Sequence, residues 1–294
     1  MNVLIVGATG YVGAAVARAV ASMGHRVYGT ARSPEAARKL QANRVKPVDA
    51  DVRDPQSLVN AARAMDAVIY AVQYNGDDQF ETESAALRTL AELASEGRKT
   101  LIYTSGVWLY GATGERAADE SSPANPIALV RHRPALEAIV LESAQRGARA
   151  IVIRPGIVYG HAGGIPAMWS TTAGEGGAAR VIGDGKNRWP LVHVDDLARL
   201  YVLALQRAQA GAIYNAADDS AFSVREMAEA ASRGAGANGK LEFVTLDVAR
   251  EAMGSFADAL ALDQRISSRK AREELGWEPH AKSIVEELTA GTYA

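Results

Sequence analysis

Cysteine is absent from the 294 residues, which excludes disulfides, thiolate nucleophiles, cysteine-ligated zinc and iron–sulfur clusters. Neither sign of charge dominates: 32 basic against 34 acidic residues leave a net charge of −2. A dedicated nucleic-acid or anionic-membrane surface would need a basic patch, so neither partner is expected. Long apolar runs are also missing, each far below the roughly 18 residues of a membrane span. No cationic lead-in precedes Val3-Leu4-Ile5-Val6, and a soluble, cytoplasmic protein is expected. Arginine outnumbers lysine 25 to 7, a bias with no evident functional reading. What is plentiful is apolar material, 48% of the chain. At about 150 residues per domain, that supplies one large or two modest cores.

Short β-branched runs at 3–6, 26–29, 45–48, 67–71, 100–103 and 151–153 read as buried strands. Alanine-rich helical stretches near 11–23, 34–42, 55–64, 79–96 and 127–146 separate them. Such alternation predicts right-handed βαβ units and an α/β fold with a doubly wound parallel sheet. Ser33-Pro34 and Asp54-Pro55 supply N-cap and first-turn pairs. The rhythm loosens after Arg154, and 160–190 has no clear period, as in a lid or a disordered loop. Helices return at 195–208, 223–233 and 266–275, with a strand at 241–245. The expected division is a nucleotide-binding core over 1–160 and a mixed segment over 161–294. The second carries a substrate loop, a return to the core near 191–220 and a C-terminal cap.

The sharpest local signal is Gly7-Ala8-Thr9-Gly10-Tyr11-Val12-Gly13, directly after the first strand. Glycines at this spacing permit a tight turn, approach of a pyrophosphate and close helix–strand packing. The helix N-terminus then faces the phosphates. An NAD site usually has an acid at the end of the second strand. Here Gly29-Thr30-Ala31-Arg32-Ser33 has none, and Arg32 could pair with a 2′-phosphate. NADP(H) is the expected cofactor, held by Gly7, Thr9 to Gly13, Arg32 and Ser33.

With these motifs the chain resembles the extended or atypical short-chain dehydrogenase/reductases, close to the NAD-dependent epimerase/dehydratase group. The resemblance also rests on Asp51-Val52, Tyr103-Thr104-Ser105-Gly106-Val107-Trp108-Leu109-Tyr110-Gly111 and Arg154-Pro155-Gly156-Ile157-Val158-Tyr159-Gly160. Val192-His193-Val194-Asp195-Asp196 and the closing Arg272-Glu273-Glu274-Leu275-Gly276-Trp277 extend it. It implies that Asp51 and Val52 contact adenine and that Ala71, Val72, Gln73 and Thr104 line the cofactor cleft. Pro155, Gly156, Ile157 and Val158 would lie beside the nicotinamide. The same resemblance implies a catalytic Ser or Thr four residues before Tyr110, and a Tyr and Lys four apart in the next helix. Those positions are Gly106, Leu129 and Arg133, the last two aligned on Glu137, and no Tyr occurs between 111 and 158. Leucine cannot exchange a proton, and arginine stays protonated.

Ser105 and Arg133 remain as catalytic candidates, Arg133 through oxyanion stabilisation or ribose contact. Tyr74, Trp108, Trp169 and Trp189 are expected to wall the cleft around a flat substrate, with Leu129 and His193 beside them. His132 is the other histidine near the inferred site. No histidine spacing suggests a metal. The leading expectation is an NADP(H)-dependent ketoreductase of a bulky aromatic, polyketide-like carbonyl compound. A phenol next to the carbonyl would replace the missing acid. Alternatives are a redox-inert NADP(H) sensor, a non-redox cyclase or isomerase, and a sugar-nucleotide epimerase or dehydratase. Either a monomer or a homodimer is compatible with the sequence.

Overall fold

The computed structural model describes all 294 residues. Its first half alternates β1 (Asn2–Val6), α1 (Tyr11–Ser22), β2 (Arg26–Ala31), α2 (Pro34–Ala42), β3 (Lys46–Asp49) and α3 (Pro55–Ala62). It continues through β4 (Ala67–Tyr70), α4 (Gln79–Gly97), β5 (Thr100–Thr104), α5 (Arg133–Ala144) and β6 (Arg149–Pro155). The two Pro-led helices start as their caps dictate. Ser33 Oγ accepts the Ala36 N–H at 3.1 Å, and Asp54 Oδ1 accepts those of Gln56 and Ser57.

Beyond β6 come β7 (Ile157–Gly160), β8 (Gly163–Gly164), α6 (Ala167–Gly176), β9 (Ala179–Ile182), β10 (Leu191–His193), α7 (Val194–Arg207) and β11 (Ala212–Ala216). The chain closes with α8 (Val224–Gly234), β12 (Leu241–Val244), α9 (Leu246–Met253), α10 (Phe256–Leu260), α11 (Arg269–Leu275) and α12 (Ile284–Ala290). Seven parallel strands run in the order β11-β6-β5-β4-β1-β2-β3. The order reverses between β1 and β4, which opens a crevice at the carboxyl ends of the strands. One apolar layer packs α1 and α7 on the sheet, and the opposite layer packs α3, α4 and α5. A third core joins α6, α8 and α12 beyond the crevice. No helix is long and apolar enough to cross a membrane.

Three expectations need correction. The stretch 160–190 is not a structureless lid: β8, α6 and β9 lie within it, and β9 pairs in parallel with β12. Its Gly- and Ala-rich composition gives no period, because Trp169 and Ala173 alone anchor α6 in the core. A seventh strand, β11, extends the sheet; Tyr214-Asn215 interrupts its apolar pattern. The fifth helix begins at Arg133 instead of 127, preceded by a 3₁₀ turn over Ala128–Val130. Pro134 forces this break, because inside a helix its ring would clash with the carbonyl of Val130.

Candidate active site

The loop from β1 to α1 is built for close approach. Gly7 has φ 93°, and a Cβ there would meet the carbonyl oxygen of Ala71 at 2.7 Å. A Cβ on Gly13 would fall 2.2 Å from the carbonyl oxygen of Gly7, so only glycine lets α1 lie this near β1. Gly10 occupies the N-cap and brings no side chain to the first-turn N–H groups. They stay open to the crevice, with the positive end of the helix dipole behind them. These residues fit the pyrophosphate of a dinucleotide.

The crevice has two ends that share Gly10, Ala71, Val72, Gln73 and Asn75. One end is lined by Gly7, Thr9, Thr30, Arg32, Ser33, Val52 and Tyr74. Arg53, not recognised in the sequence, also lines it. Its guanidinium pairs with Asp51 at 2.7 Å. Those hydrogen bonds hold the Asp51 carboxyl below the usual range, and Arg32 contributes from further away. Arg32 and Arg53 both line this end, Arg32 directly after β2, where an NAD site usually has an acid. Asp51-Val52-Arg53-Asp54 at a strand end was the available signal. Tyr74 belongs to this end and not to the substrate wall where the sequence put it; its backbone N–H donates to Glu83 at 2.8 Å.

The other end is a cavity of about 620 Å³. Pro155, Gly156, Ile157 and Val158 form one side, and Thr104, Ser105 and Gly106 form the floor. Gly106, Leu129 and Arg133, the positions that the resemblance implies for the family's catalytic set, all line it. Arg133 donates to the Thr104 carbonyl at 3.5 Å. Gly106 has an extended backbone, and a Cβ there would lie 3.8 Å from Arg133 Nη1. Backbone geometry therefore does not require glycine at 106. Ser105 is only 6% exposed, and its hydroxyl has no partner in the protein. The oxygen itself is out of contact with solvent although Ser105 lines the cavity, and an unpartnered buried hydroxyl of this kind is unusual. Thr104 Oγ1 is already bonded to the Tyr201 hydroxyl at 2.6 Å.

Trp108 faces Phe256 edge-on at 6.1 Å, and both line the cavity. Phe256 comes from α10, which sequence reading did not find. Trp169 and Trp189 do not join this wall. They stack on each other at 4.9 Å, 2% and 3% exposed, and Trp189 donates to the Leu260 carbonyl. Their spacing gave no means of separating core from cleft. His193 is also displaced from its expected role: it caps α7, its Nδ1 accepting the Asp195 N–H at 3.1 Å. His132 lies outside this cavity, at the start of α5, and burial lowers its pKa.

Behind the cavity, Arg154 makes paired bonds to Glu137, at 3.0 and 2.5 Å, and a third to the Tyr110 hydroxyl. Tyr110 in turn donates to Asn215 Oδ1 at 2.9 Å. This buried network joins α5, β6, β11 and the turn after Gly106.

Residues 3–217 match the model of the NAD dependent epimerase/dehydratase family. The chain belongs to that family. An uncharacterized protein of Schizosaccharomyces pombe is 28% identical over 306 residues, covering 100% of both chains. A Streptomyces protein named 3-diazoavenalumate denitrifying reductase is 29% identical over 308 residues, 95% of this chain and 96% of its own. Among solved structures, dTDP-glucose 4,6-dehydratase from Bacillus anthracis in complex with NAD superimposes with a TM-score of 0.84. It shares 18% identity and covers 100% of this chain and 96% of its own. That last likeness concerns the fold alone.

Proposed function

We propose that this member of the epimerase/dehydratase family is an NADP(H)-dependent ketoreductase of a bulky aromatic carbonyl compound that carries its own proton source. The observation that carries the reading is the meeting of Gly106, Leu129 and Arg133 in a cavity continuous with the dinucleotide crevice. A nicotinamide held beside Pro155 to Val158 would supply hydride. The protein's share is positioning and charge. Trp108 and Phe256 flank a flat ring, the Ser105 hydroxyl donates to an acceptor, and the Arg133 guanidinium stabilises a developing alkoxide. Because arginine stays protonated, the proton that neutralises the alkoxide comes from a phenol next to the carbonyl, then from water.

The test compares NADPH oxidation with an aromatic ketone bearing an adjacent phenol and with its methyl ether. A strong preference for the free phenol is expected, and Arg133→Ala should slow the reaction by up to about 10²–10³-fold. Equal rates for both ketones would show that the protein supplies the proton. Tight NADPH binding with no carbonyl reduced would favour a cofactor sensor.

Cofactor choice is tested separately. Arg32→Ala is expected to weaken NADPH binding by about 1.5–3 kcal/mol, the scale of a charge-assisted hydrogen bond, and to leave NADH nearly unchanged. Equal losses for both nucleotides in equilibrium titration would overturn the assignment.

The name of the Streptomyces relative favours a second reading. An aryldiazonium cation that accepts hydride at its terminal nitrogen becomes a neutral aryldiazene, which loses dinitrogen as its N–H hydrogen passes to the ring carbon. Charge and atoms balance with no net proton from the protein, which suits a cavity with no tyrosine or lysine. A phenol-bearing diazo compound belongs in the same assay, with release of dinitrogen as its readout.

A further inference from the structure

Outside the crevice, the turn between β7 and β8 meets the start of α7 in a cluster of two imidazoles and one carboxylate. His161 Nε2 lies 2.8 Å from Asp195 Oδ2, and His193 Nδ1 lies 3.8 Å from the same oxygen. All three donor atoms fall within 4.8 Å of one another. A tetrahedral ion with nitrogen and oxygen ligands at about 2.0–2.1 Å sets its donors about 3.3 Å apart. The two separations from Asp195 Oδ2 bracket that value, and the two imidazole nitrogens, within 4.8 Å of each other, would draw together on an ion. The positions are 161, 193 and 195, with no motif spacing, so the sequence alone gives no sign of them.

We infer that His161, His193 and Asp195 bind a divalent transition-metal ion of the zinc class. Two imidazoles and a single carboxylate suit zinc, cobalt or nickel, whereas magnesium and calcium prefer all-oxygen sites. The Nδ1 lone pair of His193 already points into the cluster, where it accepts the Asp195 N–H. An ion would take the lone pair in place of that N–H. His161 and Asp195 are about half exposed, which leaves an entry path and room for a water ligand.

The placement gives the ion a structural consequence. Gly163 packs so closely on the Tyr11 ring that a Cβ would fall 2.4 Å from it, and Gly164 and Ile165 line the cavity. An ion between the β7–β8 turn and α7 would brace this wall. The inference is independent of any reductase activity.

The test uses the full chain, stripped with a chelator, and cobalt(II) alone as the probe. Visible ligand-field absorption saturating at one equivalent is expected, with zinc raising the melting temperature. His161→Ala, at a half-exposed turn position, should weaken cobalt binding at least about tenfold and abolish the zinc effect on melting. His280→Ala, outside the cluster, should leave both unchanged. Absence of saturable absorption up to about 100 µM cobalt would overturn the site. Equal affinity in wild type and His161→Ala would do so as well, since it would mean adventitious binding elsewhere.

Discussion

Gly13→Val is expected to abolish nucleotide binding. The substituted Cβ would sit 2.2 Å from the Gly7 carbonyl oxygen and 2.8 Å from its carbon. Both are backbone atoms of the turn that the phosphates must approach, and neither can rotate away. Relief requires α1 to move off β1, which takes its N–H groups and dipole out of range of the pyrophosphate. Overpacking of this kind costs about 1–3 kcal/mol or more, so the variant should also melt earlier. Gly10→Ala is the milder comparison, because its Cβ would approach the same oxygen only to 3.3 Å. Fluorescence titration with NADPH, read beside a circular-dichroism melt, separates lost binding from lost folding. Unchanged affinity in a folded Gly13→Val protein would refute the phosphate-loop assignment.

Glu137→Ala is expected to cost about 3–5 kcal/mol of stability, because it strands a buried guanidinium. Arg154 and Glu137 have side chains only 8% and 4% exposed, so water cannot replace the lost carboxylate. The loss should appear in urea unfolding as a lower midpoint with a similar slope. Replacing both partners, as in Glu137→Leu with Arg154→Met, should recover much of it, since a buried pair gains little over well-packed apolar groups. A single-variant loss below about 1 kcal/mol would show that the pair is solvated.

The nucleotide half of the fold was legible because its signals are local. The β1–α1 glycines, the Ser33 and Asp54 caps and the short apolar strands each act within a few residues. The opposite end of the crevice was harder to read. Trp108 and Phe256 meet across 148 positions of sequence, and Trp169 and Trp189 stack in the core by contacts that no period encodes. α12 was missed, although the Ser283 and Glu286 that form its reciprocal capping box were a local signal of its start. The absence of the tyrosine and lysine was visible in the sequence. That Gly106, Leu129 and Arg133 nevertheless share one cavity required the structure.

Two of the positions that the resemblance implies for the family's catalytic set would accept its side chains unequally. A serine at 106 is one substitution away, since the backbone is extended and the Cβ has room. Leu129 is placed differently. It sits in a 3₁₀ turn that ends at Val130, before α5 begins at Arg133, so a tyrosine placed there would not keep the register of one α-helical turn before residue 133. Pro134, fixed in the first turn of α5, therefore keeps Leu129 outside the helix while Leu129 and Arg133 still line one cavity.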